Sequence, residues 1–217
     1  MGLFGFGKAK GETPQELAER ARRAEGEAAQ SAAQLEALQE LVNHLDADRL
    51  LLLRAAEELR PGQDPKALGQ ALIDLSFKPL GLASCYLALV DWEADRLAFP
   101  IYHEGGRLRN QPVRAFSREG GLTGKAMAGR APLYIRSLEE AREAGAIFSE
   151  AERVSGLVPQ SWYGVPLGVG PGWTGPSFGL VSFQSFQREA FSDSRRRLMD
   201  ALAAILALAL ALRSEEA

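Results

Sequence analysis

Few side chains in this sequence are of types that make or break bonds. The 217 residues hold one cysteine, Cys85, and two histidines, His44 and His103. A single cysteine excludes an intramolecular disulfide and any multi-cysteine metal site. The two histidines stand far apart in the chain, so a histidine-based metal site is not expected. Ser161 lies in the most sheet-like stretch, but a nucleophilic serine needs a partner base and a strand–turn–helix elbow. His103 is the one candidate base near enough in sequence to share a domain with it, and no such elbow surrounds Ser161. The carboxylates fall on segments that read as helices, where solvent exposure is their default. The expectation is no catalytic arrangement, no metal and no cofactor.

Composition narrows the class further. Hydrophobic residues make up 46% and charged residues 24%, ordinary values for a soluble globular chain. The net charge of −3 gives no concentrated basic surface for nucleic acid, and Arg195–Arg197 is too short a run to supply one. That run reads as a solvated face. The opening residues 1–7 are apolar but far too few for a signal peptide, and the myristoylation pattern fails where Phe6 stands. The apolar run 201–212 is too short to span a bilayer. With one unpaired cysteine and no transmembrane segment, a cytoplasmic location is expected.

The elements that would position any site are organised around 161–183. Val165, Leu167 and Val169 alternate with smaller residues, and Phe178, Leu180 and Ser182 alternate with Gly179, Val181 and Phe183. Period two predicts strands. The Gly- and Pro-rich segment 170–176 between them predicts a long hairpin tip. Before it, Asp64-Pro65 opens a short amphipathic helix carrying Leu68, Leu72 and Leu75. Strands follow at 83–91 and 97–103 around the turn 93–96, then a basic stretch with Arg107, Arg109, Arg114 and Arg118. Gly121–Gly129 reads as a helix bounded by glycines, 132–135 as a short strand, and Ser137-Leu-Glu-Glu140 as the start of another helix. Residues 145–160 have no clear period and read as one helical turn and a loop. Ser192 caps a final helix whose stripe includes Leu198, Leu202, Ile205, Leu206, Ala209 and Leu212.

At the other end, residues 1–12 read as a flexible terminus, though Leu3, Phe4 and Phe6 ahead of Lys8 and Lys10 are of types that touch a membrane or a partner. Thr13-Pro-Gln-Glu16 predicts a capping box with proline at the first helical position. No proline follows until Pro61, so a helix over 13–60 is expected. A heptad runs along it. One seam position holds Leu17, Ala24, Ser31, Leu38, Leu45, Leu52 and Leu59; the other holds Ala21, Ala28, Leu35, Val42, Arg49 and Ala56. Such a helix is on the order of 65 Å long. A stripe two positions wide suits a parallel coiled coil between two copies, with a helix folded back on its own domain as the other possibility.

Four segments in this order resemble a GAF domain over residues 64–212: Asp64-Pro65 with its apolar helix; Gly121-Leu-Thr-Gly-Lys-Ala-Met-Ala-Gly-Arg-Ala-Pro-Leu-Tyr-Ile135; Ser161-Trp-Tyr-Gly-Val-Pro-Leu167; and Gly179-Leu-Val-Ser-Phe183 with Phe191 and the last helix. The resemblance implies an α+β fold with a twisted antiparallel sheet of about six strands. Terminal helices would pack on one face, and short helices and loops would roof a small-molecule pocket on the other. It also implies a GAF-like domain at 64–213, a signalling coiled coil at 13–60 and a short tail at 214–217. No kinase, cyclase or DNA-binding output remains to be assigned, so a bacterial-type sensor or adaptor acting on a signalling partner is expected. The bilin-attaching cysteine pattern and the cyclic-nucleotide signature of some GAF proteins are absent. Free methionine sulfoxide reductases of this fold use several cysteines, and Cys85 alone cannot do so.

Within that framework, strand alternation sorts candidate pocket residues. Tyr86, Ala88 and Val90 face away from Cys85, Leu87 and Leu89, which places Tyr86 on the roofed side. The same alternation sets Tyr102 on the side opposite Leu97, Phe99 and Ile101. Phe116, Tyr134, Arg136, Ser161 and Trp162 come from segments flanking the roof. The expected dimer seam is Leu17, Ala21, Ala24, Ala28, Leu35, Leu38, Val42, Leu45, Leu52 and Leu59, with a weaker contact through the last helix. Three functions stay open: a ligand-binding sensor, a structural adaptor with a filled pocket, and a small redox or hydrolytic enzyme.

Overall fold

The computed structural model describes residues 13–117, 120–148, 152, 154, 156–169, 173 and 175–212. The flexible terminus expected at 1–12 and the tail at 214–217 lie outside the described residues, as does most of the tip between the last two strands. The chain divides into two compact units, Met1–Ala47 and Asp48–Ala217. Helix α1, Pro14–Glu58, begins in the first unit and ends in the second. Its start is the capping box read from the sequence. The Thr13 backbone N–H donates to Glu16 Oε2 at 2.7 Å and the Glu16 N–H to Thr13 Oγ1 at 3.3 Å. The Thr13 backbone N–H foremost, and then the Thr13 hydroxyl, which donates to Glu16 Oε2 at 2.9 Å, hold the Glu16 carboxyl below its usual pKa.

Every residue from Thr13 to Ala47 is exposed. The last turns of α1 behave otherwise. Leu51, Ala55 and Leu59, spaced by four, are buried in the core of the second unit, and Leu52 is half-buried against it. This corrects the seam: Leu59 is 3% exposed and covered by its own chain, so it is not available to a partner copy. The physical reason is that Leu51, Ala55 and Leu59, with Leu52 beside them, form an apolar face broad enough for a core, and the helix side of the sheet supplies its cover. The seam residues from Leu17 to Leu45 remain exposed.

In the second unit, α2 (Pro65–Ser76) is capped by Asp64, whose Oδ1 accepts from the N–H groups of Lys66 and Ala67 at 2.9 and 3.0 Å. Asp64→Ala leaves these donors without a protein partner and should cost about 1 kcal/mol, read as a drop of roughly 2–4 °C in the thermal midpoint. Strands β1 (Ser84–Asp91), β2 (Arg96–Glu104), β3 (Arg107–Leu108) and β4 (Arg114–Ala115) lead to α3 (Gly121–Gly129). Then come β5 (Leu133–Ile135), α4 (Leu138–Glu143), β6 (Ser161–Leu167), β7 (Gly179–Ser185) and α5 (Asp193–Leu212). Ser137 caps α4 through a bond from the Glu140 N–H at 3.2 Å. Among the described residues the strands form one sheet in the order β3-β2-β1-β7-β6-β5, with β4 also on β2. The pairings are antiparallel. The hairpin β6–β7 sits inside the sheet because β7 also pairs with β1.

Two apolar cores lie on the two faces. One joins the end of α1, α2 and α5 to Cys85, Leu87, Ile101, Tyr163, Val165, Leu167, Val181 and Phe183 of the sheet. The other joins Leu122, Ala126 and Met127 of α3 and Ala141 of α4 to Tyr86, Ala88, Trp162 and Leu180. Gly69 permits the close approach of α2, since a Cβ there would overlap the Ile101 side chain. This is the α+β arrangement that the resemblance implied, with long helices on one face and short ones on the other. No helix among the described residues is long and apolar enough to cross a membrane.

Candidate functional site

Strand alternation on β1 puts Tyr86 on the face covered by α3, as expected. On β6 the same alternation turns Trp162 to that face and Tyr163 to the helix side. The Trp162 indole lies across Gly164, its neighbour two residues on, where any Cβ would collide with the ring. Together these residues line a cavity of about 250 Å³ on the roofed side. Its walls include Phe99 and Tyr102 of β2, Phe116 after β4, Leu122 and Thr123 of α3, and Phe148 and Glu152.

The aromatic walls are ordered. Tyr86 and Tyr102 stack with centroids 5.1 Å apart and planes within 3°. Phe99 stands edge-on to both, at 5.6 and 6.1 Å. The Tyr86 and Thr123 hydroxyls share a hydrogen bond of 2.8 Å. Burial pushes the Tyr86 phenol above its usual pKa, countered in part by that bond and reinforced by the charge of Glu152. Tyr102 is pushed up as well, by burial first and then by Tyr86 and Glu152. Both therefore serve as neutral hydrogen-bonding groups. Gln184 reaches the cavity from β7, its Nε2 donating to Ser182 Oγ at 3.0 Å. At the rim, Arg114 donates to Gln111 Oε1 at 2.6 Å, and its guanidinium lies 5.5 Å from the Phe99 centroid.

Of the pocket residues expected from the sequence, Tyr86, Tyr102, Phe116 and Trp162 line this cavity, whereas Tyr134, Arg136 and Ser161 do not. Tyr134 faces the helix side, because β5 pairs it with Tyr163 and the two share a face; its hydroxyl accepts from the Phe191 N–H at 3.2 Å. Arg136 is exposed, its guanidinium 6.0 Å from the Tyr134 ring. Ser161 shares the parity of Tyr163, and its hydroxyl donates to the Gln187 carbonyl at 2.8 Å, a structural bond at the strand start.

Leu97 and Phe99 were expected opposite Tyr102 and instead share its side. A β-bulge is the reason. Leu87 pairs with Ile101 but Leu89 with Ala98, so Phe99 and Pro100 both oppose Ala88 and the alternation of β2 reverses across Pro100. The proline inside a strand pattern was the available signal. Phe148 and Glu152 come from the stretch whose period gave no reading.

Neither residue singled out for redox or base chemistry is at the cavity. Cys85 is buried on the helix side, and burial pushes its thiol up to about 12. A thiol reagent at pH 8 should leave Cys85 unmodified in the folded protein and label it fully in denaturant; rapid labelling of the folded form would place the thiol elsewhere. His103 packs its ring against Phe77 with centroids 4.2 Å apart, and partial burial lowers its pKa.

Comparison with known proteins meets this geometry. Structures with the same fold include the GAF domain of an Acinetobacter phosphoenolpyruvate-protein phosphotransferase, at 14% identity and a TM-score of 0.59, covering 80% of this chain and 96% of that one. A second is the free methionine-R-sulfoxide reductase of Neisseria meningitidis in complex with its substrate, at 16% identity and a TM-score of 0.61, covering 78% and 92%. A third is a methyl-accepting chemotaxis protein, residues 122 to 287, at 15% identity and a TM-score of 0.57, covering 78% and 99%. At these identities the likeness is one of fold. A search of curated protein sequences finds no match. The family model of the GAF domain, however, matches residues 62–211, more than half of the chain and all of the sheet with its roof: the chain belongs to the GAF domain family.

Proposed function

We propose that this chain is a non-catalytic sensory module, a homodimer paired through α1 that binds a small metabolite in the roofed cavity and works in the cytoplasm. The observation that carries the reading is the cavity itself. Aromatic walls with a few convergent polar groups are the usual make-up of a small-molecule site. A filled pocket, as in a purely structural adaptor, would leave no void of about 250 Å³. That volume falls just short of the roughly 300–1,000 Å³ typical of drug-sized pockets, so the ligand is compact.

The sheet offers a route from the cavity to the helices. Trp162 faces the ligand side, and the next residue, Tyr163, donates its hydroxyl proton to Asp200 Oδ1 of α5 at 2.7 Å. Arg196 of α5 lies over the Tyr134 ring at 4.6 Å. The buried end of α1 shares the core of α5. A ligand that binds two helix arrangements unequally would shift the balance between them. Thiol-based redox activity is disfavoured because the single thiol is buried on the face opposite the cavity. The activity of the Neisseria reductase is therefore not carried over.

Native mass spectrometry of the purified protein, with thermal denaturation across nucleotides, amino acids and other metabolites, tests the reading. A co-purifying compound or a raised midpoint supports it. A bare protein that no compound stabilises favours the adaptor.

A further inference from the structure

Two polar side chains of the cavity wall carry hydrogen-bonding atoms that the protein leaves open. The first is Tyr102. It is 8% exposed and stacks on Tyr86, yet no hydrogen bond among the described residues engages its hydroxyl. The Tyr86 hydroxyl differs, since it bonds Thr123 at 2.8 Å. The second is Gln184, 5% exposed. Its Nε2 donates to Ser182 Oγ at 3.0 Å, and its Oε1 has no donor among the described residues. An unmet buried donor or acceptor is destabilising, and nearly all such groups in folded proteins have partners. Packing alone does not call for a hydroxyl here, since Phe99 fills its place in the same wall with a bare ring. Both open groups are neutral, Tyr102 because burial holds its proton in place. Of the charged side chains lining the cavity, Arg114 is exposed at the rim and Glu152 already interacts within the protein.

We propose that the cavity recognises an uncharged amide on a flat apolar body, the ligand's carbonyl accepting from the Tyr102 hydroxyl and its N–H donating to Gln184 Oε1. This selectivity rests on the cavity being a ligand site, the reading given above. An amide carries an acceptor and a donor on one small neutral group, which matches the open hydroxyl and the open carbonyl. The body lies beside Trp162, which pairs directly with Gln184 across β6 and β7 and lines the same cavity. A hydrocarbon of the same shape fills the space but leaves both groups unmet. A carboxylate or ammonium ligand brings a charge that neither open group offsets, and burying an unpaired charge is costly.

Four probes of similar size test this by calorimetric titration of the full chain: benzamide, toluene, benzoate and benzylamine. Benzamide should bind at least about tenfold more tightly than each of the other three. Tyr102→Phe removes only the hydroxyl. It should lower benzamide affinity about fivefold or more, with toluene affinity unchanged and the thermal midpoint unchanged or raised. Tyr86→Phe removes a bond that is made and should lower the midpoint. Gln184→Met should weaken benzamide but not toluene. Toluene, benzoate or benzylamine binding as well as benzamide overturns the proposal and leaves the cavity a ligand site. Unchanged benzamide affinity in Tyr102→Phe or Gln184→Met does the same. A midpoint that falls as far in Tyr102→Phe as in Tyr86→Phe shows that the hydroxyl already has a partner, and overturns it too. Binding by none of the four overturns it, while the metabolite screen above separately decides whether the cavity takes any ligand. If a variant does not fold, as judged by circular dichroism, the ranking of probes on the native sequence decides.

Discussion

Replacing Leu38 and Leu45 together by aspartate should convert the protein from a dimer to a monomer in light scattering. Both leucines are 58% exposed on α1, and every residue from Thr13 to Ala47 is exposed. A helix gains most of its stability from packing an apolar face, and the apolar row of this stretch is exposed. A second copy in parallel would cover the row Leu17, Leu38 and Leu45 along with Ala21, Ala28, Leu35 and Val42. Two aspartates per helix in that seam would lie buried and unpaired, at a cost of several kcal/mol, on the order of a hundredfold or more in the dimer constant. Helical circular dichroism should fall as well, while the domain's unfolding midpoint stays in place, because Leu51, Ala55 and Leu59 belong to its core. Exposed Leu53, Leu208 and Leu212 allow a residual weak association. A tight dimer unaffected by the two charges would show that α1 is not the interface.

The second large effect concerns Trp162. Its indole fills the space over Gly164 and walls the cavity, so it serves both the roofed core and the site. Trp162→Ala should destabilise the domain by about 3–5 kcal/mol. For a domain of this size that is roughly 6–20 °C in the thermal midpoint. Small-molecule binding should be lost with it. Trp162→Phe should keep most of the stability, since an aromatic ring still covers Gly164. Equal, small losses in both variants would mean that the indole is peripheral to the core.

The elements that proved readable are those specified by local rules. The capping box at Thr13, the Ser137 and Asp64 caps and the glycine-bounded α3 each depend on a few adjacent residues. Alternation on β1 put Tyr86 on the roofed face, where it lies, because that strand runs without interruption through the position; it was not applied on β6, where it separates Trp162 from Ser161. Alternation failed on β2, where Pro100 sits in a bulge and reverses the faces. It was not applied on β5, where Tyr134 pairs with Tyr163 and therefore turns to the helices. The seam residues of α1 up to Leu45 are exposed, as is every residue around them. Beyond it the competing row Leu51, Ala55 and Leu59 meets the sheet's helix side, a tertiary fact with no local signature. Glu152 was out of reach for a related reason: residues 145–160 show no apolar period in the sequence, so the burial of Glu152 could not be read locally.

The measurement closest to the central claim is the indole N–H resonance of Trp162, assigned with Trp92→Phe and Trp173→Phe variants, during a screen of small aromatic and amine fragments. At least one fragment should move this resonance saturably. If the resonance stays fixed through the whole screen, the roofed side takes no ligand and the sensory reading fails.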